Sequence, residues 1–427
     1  MKGEGALNKR WPASAGFFIP KMVDERREKL GSSRELGVFE ETAKLKTVLM
    51  WGAPGAETAL GQLLPKDVSC FEEEFDVPKA RKEFEDAKAI LERNGVEIIQ
   101  VKDLFAKMIE DKGIEPEITI DQLKVAVMSK ACELYKEYPE QDPKKFEDVL
   151  CWVDEAIDSD AKKYGEKVAI VINQRLSLSN KLPMANVLYA RDQSNLLGNT
   201  LVWSSMRHEI RQPEVELFKE VLSHSGIYEE GAIKKVQVTG EGRFEGGDGI
   251  VSGGICYIGV GGRTNMKGII QVANSILDDG LRLMVPIDID RDLHLLPEMD
   301  TMHLDTMWMP FEENGTVACM REVDRRRLWE IKRIADGKLT VIDQGTFAEH
   351  MAERGMDIVQ IDKDAQKGYA PNLLNLGNKK VVLSRSDTNN LTEELAEKGI
   401  SSEDAALQET TKGFGGLHCM TASISRG

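Results

Sequence analysis

The sequence predicts an α/β protein, and three observations predict it. Short runs of buried-strand character recur from residue 44 to residue 384, stretches with apolar residues at helical spacing separate many of them, and no internal repeat or low-complexity tract interrupts the alternation. The 427 residues suffice for one large domain or two ordinary ones, and 41% hydrophobic with 30% charged residues is a globular balance.

In chain order, residues 44–50 (KLKTVLM) read as a buried strand closed by the turn Gly52-Ala53-Pro54-Gly55. Residues 79–93 (KARKEFEDAKAILER) have helical spacing and stop at Asn94-Gly95, and residues 96–101 (VEIIQV) form the next strand. Residues 104–164 stay helical, as an insertion into an otherwise regular α/β body, and residues 167–172 (KVAIVI) restore the strand pattern. Further strands are expected at residues 187–190, 201–204, 236–239, 249–252, 256–260, 283–287, 307–310, 339–342, 358–361 and 380–384, with helices at 213–224 and 266–278.

The net charge of −16 argues against a nucleic-acid protein, whose footprint is a basic face. Six scattered cysteines, none in a Cys-x-x-Cys pair, read as reduced thiols of a cytoplasmic protein and not as a zinc site. No apolar run approaches the roughly 20 residues that span a bilayer, and the N-terminus has no secretory apolar core. Neither a dinucleotide-binding glycine fingerprint nor a P-loop occurs, and His208, His224, His294 and His350 lack metal-ligand spacing. No metal or organic cofactor is expected.

Four segments place polar residues at strand ends: NVLYARD (186–192), FEGGD (244–248), MHLDT (302–306) and GGLHCMT (415–421). Taken singly, each has an ordinary reading. EGGD is a surface turn whose glycines allow close backbone approach or positive φ. Arg191-Asp192 is a surface ion pair, His303 a strand-end histidine sharing a face with Asp305, and Cys419 a small buried hydrophobe. A glycine-rich approach to a Cys beside a His also suits an activated thiolate.

Together and in this order, these segments resemble arginine deiminase. The likeness starts at LGVFEETAKLKTV (36–48), runs through FEGGDGIVSGGICYIGVGGRTN (244–265), and ends at LHCMTASISRG (417–427), leaving residues 1–30 as an N-terminal extension to a catalytic region of 31–427. The resemblance implies a pseudo-fivefold α/β propeller of ββαβ units, with residues 104–164 as its helical insertion. It implies Cys419 as nucleophile, His303 as acid and base, Asp192 and Asp305 as the carboxylates that grip a guanidinium, and Glu245 beside the histidine. Arg211 and Arg263 would hold the substrate α-carboxylate, and Asn186 would line the site. The implied reaction is hydrolysis of free L-arginine to citrulline and ammonia through a covalent thiouronium, in a homo-oligomeric enzyme.

The sequence also departs from that family. Phe414 stands where many members have Arg, residues 69–76 (SCFEEEFD) replace a Leu-Leu-Phe-Asp-Asp segment, and Gln193 replaces a Pro. These positions recognise substrate and gate the site, so another guanidino compound is the competing substrate. An amidinotransferase would use the same residues with an amine in place of water. An inactive arginine-binding protein would need the carboxylates but not the thiol, and a cysteine protease would leave the aspartates and arginines without purpose.

Overall fold

The computed structural model describes residues 35–139, 142–229, 233–288, 302–387 and 390–427. The expected extension over residues 1–30 and His294 lie outside them.

One local pattern recurs. Two short strands pair antiparallel, the chain crosses over through a helix, and a third strand adds in parallel to the second. A parallel neighbour requires such a crossover, because a tight turn can only reverse the chain. In the second unit β3 (Ser194–Leu197) and β4 (Thr200–Trp203) form the hairpin, helix Gln212–Ser225 crosses over, and β5 (Lys234–Gln237) runs parallel to β4. In the third, β6 (Gly249–Ser252), β7 (Ile255–Ile258), helix Met266–Asp278 and β8 (Arg282–Ile287) repeat it. A long hairpin of β11 (Arg327–Arg333) and β12 (Leu339–Thr346) extends that sheet to five strands. The fourth has β9 (Trp308–Glu312), β10 (Gly315–Ala318), helix Phe347–Glu353 and β13 (Asp357–Gln360). The fifth has β14 (Leu374–Gly377), β15 (Lys380–Leu383), helix Leu391–Glu397 and β16 (Ser401–Asp404). The first unit joins the two ends of the described chain. The last strand, β17 (Ala422–Arg426), pairs antiparallel with β1 (Leu45–Met50), and helix Val77–Arg93 leads to the parallel β2 (Glu97–Gln100).

Each helix packs its apolar side on its own sheet. Val272 and Ile276 of helix Met266–Asp278 bury against Val251, Ile258 and Leu283, each such side chain contributing about 1.5–3 kcal/mol. Between β2 and β3 stand three longer helices, Val101–Asp111, Ile120–Glu137 and Pro143–Tyr164. The middle one starts at a capping box, with Thr119 accepting from the Gln122 amide while the Gln122 side chain accepts from that of Thr119.

Three sequence expectations need correction. KVAIVI is not a strand but the core of helix Glu166–Asn173. Its residues are buried on nearly every side, and a continuous apolar run does not distinguish a buried strand from a buried helix. Residues 187–190 are a turn leading into the helical turn Ala190–Gln193. His303 and Asp305 do not share a strand face, because Leu304–Thr306 is a single 3-10 turn.

Candidate active site

The site is assembled from segments that immediately precede the first strand of a hairpin. Asp192 lies in the turn before β3, Glu245 before β6, His303 and Asp305 before β9, and Cys419 before β17. The equivalent position before β14 is held by Asn372, which the sequence reading missed. Its amide nitrogen lies 3.2 Å from Cys419 Sγ, and its Oδ1 accepts from the Cys419 amide at 3.2 Å. Only the recurrence of the unit would have found it.

The glycines around these residues serve close approach. A Cβ on Gly247 would lie 2.4 Å from His303 Nδ1, and one on Gly246 would lie 2.0 Å from the Arg191 carbonyl oxygen. Neither has positive φ. The buried Asp248 accepts from the Leu304 amide at 3.0 Å and so pins the turn that carries His303 and Asp305.

All eight expected site residues are buried, and seven join one network of side chains. His303 Nε2 lies 2.9 Å from Glu245 Oε2, and Nδ1 lies 3.5 Å from Asp192 Oδ1. Arg263 donates to Glu245 at 3.2 Å, and Arg211 donates to Asp192 at 2.7 Å and to Glu214 at 3.1 Å. Asp305 Oδ2 is 2.7 Å from His418 Nδ1 and accepts from Cys419 Sγ at 3.6 Å. Behind it, His418 Nε2 is 3.5 Å from Glu41, which also pairs with Arg426 at 2.6 Å. Asn186 is turned elsewhere: its side chain donates to the Ser69 carbonyl at 2.6 Å and ties the 69–76 loop to the site wall.

Electrostatics sort these groups. Burial works against charge on His303, but Asp192 and Glu245 outweigh it and hold the imidazole well above its ordinary pKa. Burial, reinforced by the Asp305 charge, pushes the Cys419 thiol up to about 12 against the opposing influence of His303. Glu245 is buried too, yet Arg263 and His303 keep its carboxyl well below the usual range. For Asp305 the hydrogen bond and charge of His418 overcome burial in the same direction. The resting pair is therefore thiol and imidazolium. Asp192 Oδ1 and Asp305 Oδ1 are buried acceptors that make no hydrogen bond among the described residues. Buried polar atoms are nearly always paired, so two open carboxylate oxygens mark where a donor-rich cation fits. Asp192, Glu245 and His303 also bring ligand-type atoms within 4.8 Å of one another. Arg211 and Arg263 already neutralise those carboxylates, so the set has guanidinium partners in place of a metal ion.

The two loops that depart from the expected pattern form one cover. The Glu72 and Glu73 amides both donate to the Lys412 carbonyl, at 2.8 and 2.9 Å, and the Asp76 amide donates to Glu409 at 2.9 Å. Phe414 adopts a left-handed backbone, φ 71°. Beneath the cover, Tyr189 donates to the Thr410 carbonyl at 2.8 Å, and its ring presses on Gly415 so closely that a Cβ there would lie 2.4 Å away.

A family model described as arginine deiminase matches residues 69–426. An arginine deiminase from Mycobacterium bovis is 26% identical over 418 residues, covering 92% of this chain and 98% of that protein. One from Mycobacterium marinum is 27% identical, covering 95% and 99%. Among solved structures, a Pseudomonas aeruginosa DDAH complexed with citrulline superposes with TM-score 0.52 at 16% identity, over 89% of this chain and 99% of that one. The N-terminal domain of a cyanobacterial arginine dihydrolase bound to substrate gives the same TM-score at 13% identity, over 89% and 98%.

Proposed function

The chain belongs to the arginine deiminase family of hydrolases acting on guanidino C–N bonds, and from that premise we propose that it hydrolyses free L-arginine to L-citrulline and ammonia through a covalent thiouronium on Cys419. The observation that carries the reading is the pair of open buried oxygens, Asp192 Oδ1 and Asp305 Oδ1, beside a buried thiol. A guanidinium is a delocalised cation with a fork of N–H donors, and two carboxylates accept that fork and fix its central carbon. The same cation neutralises the charges that keep the thiol protonated, so binding expels the thiol proton to solvent. The Cys419 thiolate adds to the central carbon. The His303 imidazolium gives its proton to the departing nitrogen, the C–N bond breaks, and ammonia leaves. His303, now neutral, takes a proton from water as the hydroxide adds to the thiouronium carbon. The C–S bond then breaks as the hydroxyl proton is released and a proton returns to the sulfur, giving citrulline and the resting thiol. Side chains carry every step. Glu245 holds Nε2 of the histidine and leaves Nδ1 for proton transfer. Arg211 and Arg263, paired here with Asp192 and Glu245, would turn donors toward the α-carboxylate once substrate binds.

The five units would close as a pseudo-fivefold propeller with the helices between β2 and β3 as an insertion. Support comes from the five equivalent hairpin entries that converge on one network. Six free thiols fit a reducing compartment such as the cytoplasm.

The test is mass-spectrometric detection of citrulline, ornithine and ammonia from the purified protein with L-arginine, with a Cys419→Ala control. Citrulline and ammonia in equal amounts, absent in the control, are expected. No turnover by folded protein would overturn arginine as substrate and direct attention to other guanidino compounds through the changed loops around Phe71 and Phe414.

A further inference from the structure

Arg211 is held on two edges by consecutive residues of one turn. The turn Ala190–Gln193 supplies Asp192, whose Oδ2 accepts from Arg211 Nη1 at 2.7 Å, and Gln193, whose Nε2 donates to Glu214 Oε2 at 2.8 Å. That same Glu214 oxygen accepts from Arg211 Nε at 3.1 Å, so Gln193 reaches Arg211 through one shared atom. The other Glu214 oxygen accepts from the Asn186 amide at 3.1 Å, on the wall to which the 69–76 loop is tied. All four side chains, Asp192, Gln193, Arg211 and Glu214, are buried. Packing alone does not explain the glutamine. Its Oε1 is a buried acceptor with no hydrogen bond among the described residues, a penalty that a Met of nearly the same length would avoid. What the amide contributes is the N–H on Glu214. The Pro that the family pattern has at this position carries no side-chain donor, so the bond comes with this chain's departure from it. The bonds on Arg211 are also uneven. Nε and Nη1 each meet a carboxylate oxygen at 3.1 Å or less, whereas Nη2 has a long contact of 3.4 Å with the Asn186 carbonyl. A guanidinium anchored through Nε can turn its loosely held Nη2 toward a carboxylate without leaving its place.

We propose that Gln193 is a positioning residue for recognition of the substrate's α-carboxylate: its bond to Glu214 fixes Nε of Arg211 and leaves Nη2 as the donor that takes the carboxylate. The proposal rests on the reading of Arg211 as a holder of that carboxylate. Guanidino acids gain from the brace, and guanidino amines, which bring no carboxylate, do not. Gln193 acts through Glu214 and Arg211 and touches no reacting atom.

The experiment measures binding of L-arginine and of agmatine, its decarboxylated form, by calorimetry at pH 8, where Glu214, raised by burial to about 7, is ionised. Cys419→Ala is the background, so that no turnover intervenes. Adding Gln193→Met should weaken L-arginine about tenfold, the worth of one hydrogen bond to a charged acceptor, and agmatine by about twofold at most. Gln193→Leu, which also lacks the amide, should give the same pattern. Equal weakening of both ligands overturns the proposal, being the mark of a purely structural glutamine, and so does no weakening of either. Arg211→Lys in the same background tests the premise and should narrow the margin of L-arginine over agmatine. If it does so and Gln193→Met does not, the brace is overturned while Arg211 keeps its role. If the margin survives Arg211→Lys, the carboxylate reading of Arg211 is overturned, and the proposal with it.

Discussion

At the scale of single residues, the charges around Cys419 define what the resting enzyme can do. With its thiol pushed up to about 12, Cys419 should alkylate slowly with iodoacetamide at pH 8, and the rate should rise about tenfold per pH unit toward pH 11. Asp305→Asn removes the charge that adds most to burial, so alkylation at pH 8 should accelerate several-fold while turnover falls about 100-fold for want of one grip on the guanidinium. A variant that alkylates no faster than the wild type would contradict this account. Stability should respond to two other carboxyls. Burial raises Asp248 and Glu214 each to about 7. A raised carboxyl is held protonated in the folded state, so its contribution is complete below pH ~4 and is lost as pH climbs through 7, about 3–4 kcal/mol for each. Melting temperatures of Asp248→Asn should match the wild type at pH 5 and exceed it at pH 8, flattening the decline between them. These two groups were invisible as titrating sites in the sequence. EGGD names a carboxylate but not its depth, and Glu214 sits in a helix whose exposed side ordinarily carries such residues.

Among the structural elements, the cover and the crossover helices differ in how far the sequence foretold them. Helix Met266–Asp278 was legible to the residue, because its apolar spacing and its Asn265 cap act locally. The cover was legible only as two departures from a resemblance, at residues 69–76 and at Phe414. That they touch through the Lys412 carbonyl is a tertiary fact. The cover's fit depends on glycines packed against the Tyr189 ring. Gly415→Ala places a methyl 2.4 Å from that ring, forcing the loop outward. Activity should drop at least tenfold with a stability loss of only about 1–2 kcal/mol, since the loop lies outside the five sheets. Steady-state kinetics beside a urea unfolding curve would check it, and full activity in this variant would mean that the cover does not close on substrate through Tyr189.

Across the whole molecule, the helices between β2 and β3 are tied to one another by a buried ion pair. Lys102 Nζ meets Asp160 Oδ1 at 2.8 Å, and Asn173 supports the second oxygen at 3.0 Å. Lys102→Met leaves Asp160 and the buried Glu57 without their cation, and the expected loss is about 3–5 kcal/mol by chemical unfolding. A loss under 1 kcal/mol would mean that water reaches the cluster. The α/β class, most strand positions, the helical stretch before residue 164 and the motif set of the site could all be read from the sequence, because burial period, capping and turn chemistry act over a few residues. It could not tell the helix Glu166–Asn173 from a strand, since an all-apolar run satisfies both periods. Nor could it find Asn372 as a partner of the thiol or His418 as a partner of Asp305. Asn372 and His418 lie 47 and 113 residues from the groups they bond, and no local preference encodes a contact made only when five hairpin entries converge. The sequence determined which chemical groups are present and which short elements carry them. The tertiary structure alone decided which groups are buried together, and burial in company sets the charge states on which the reaction depends.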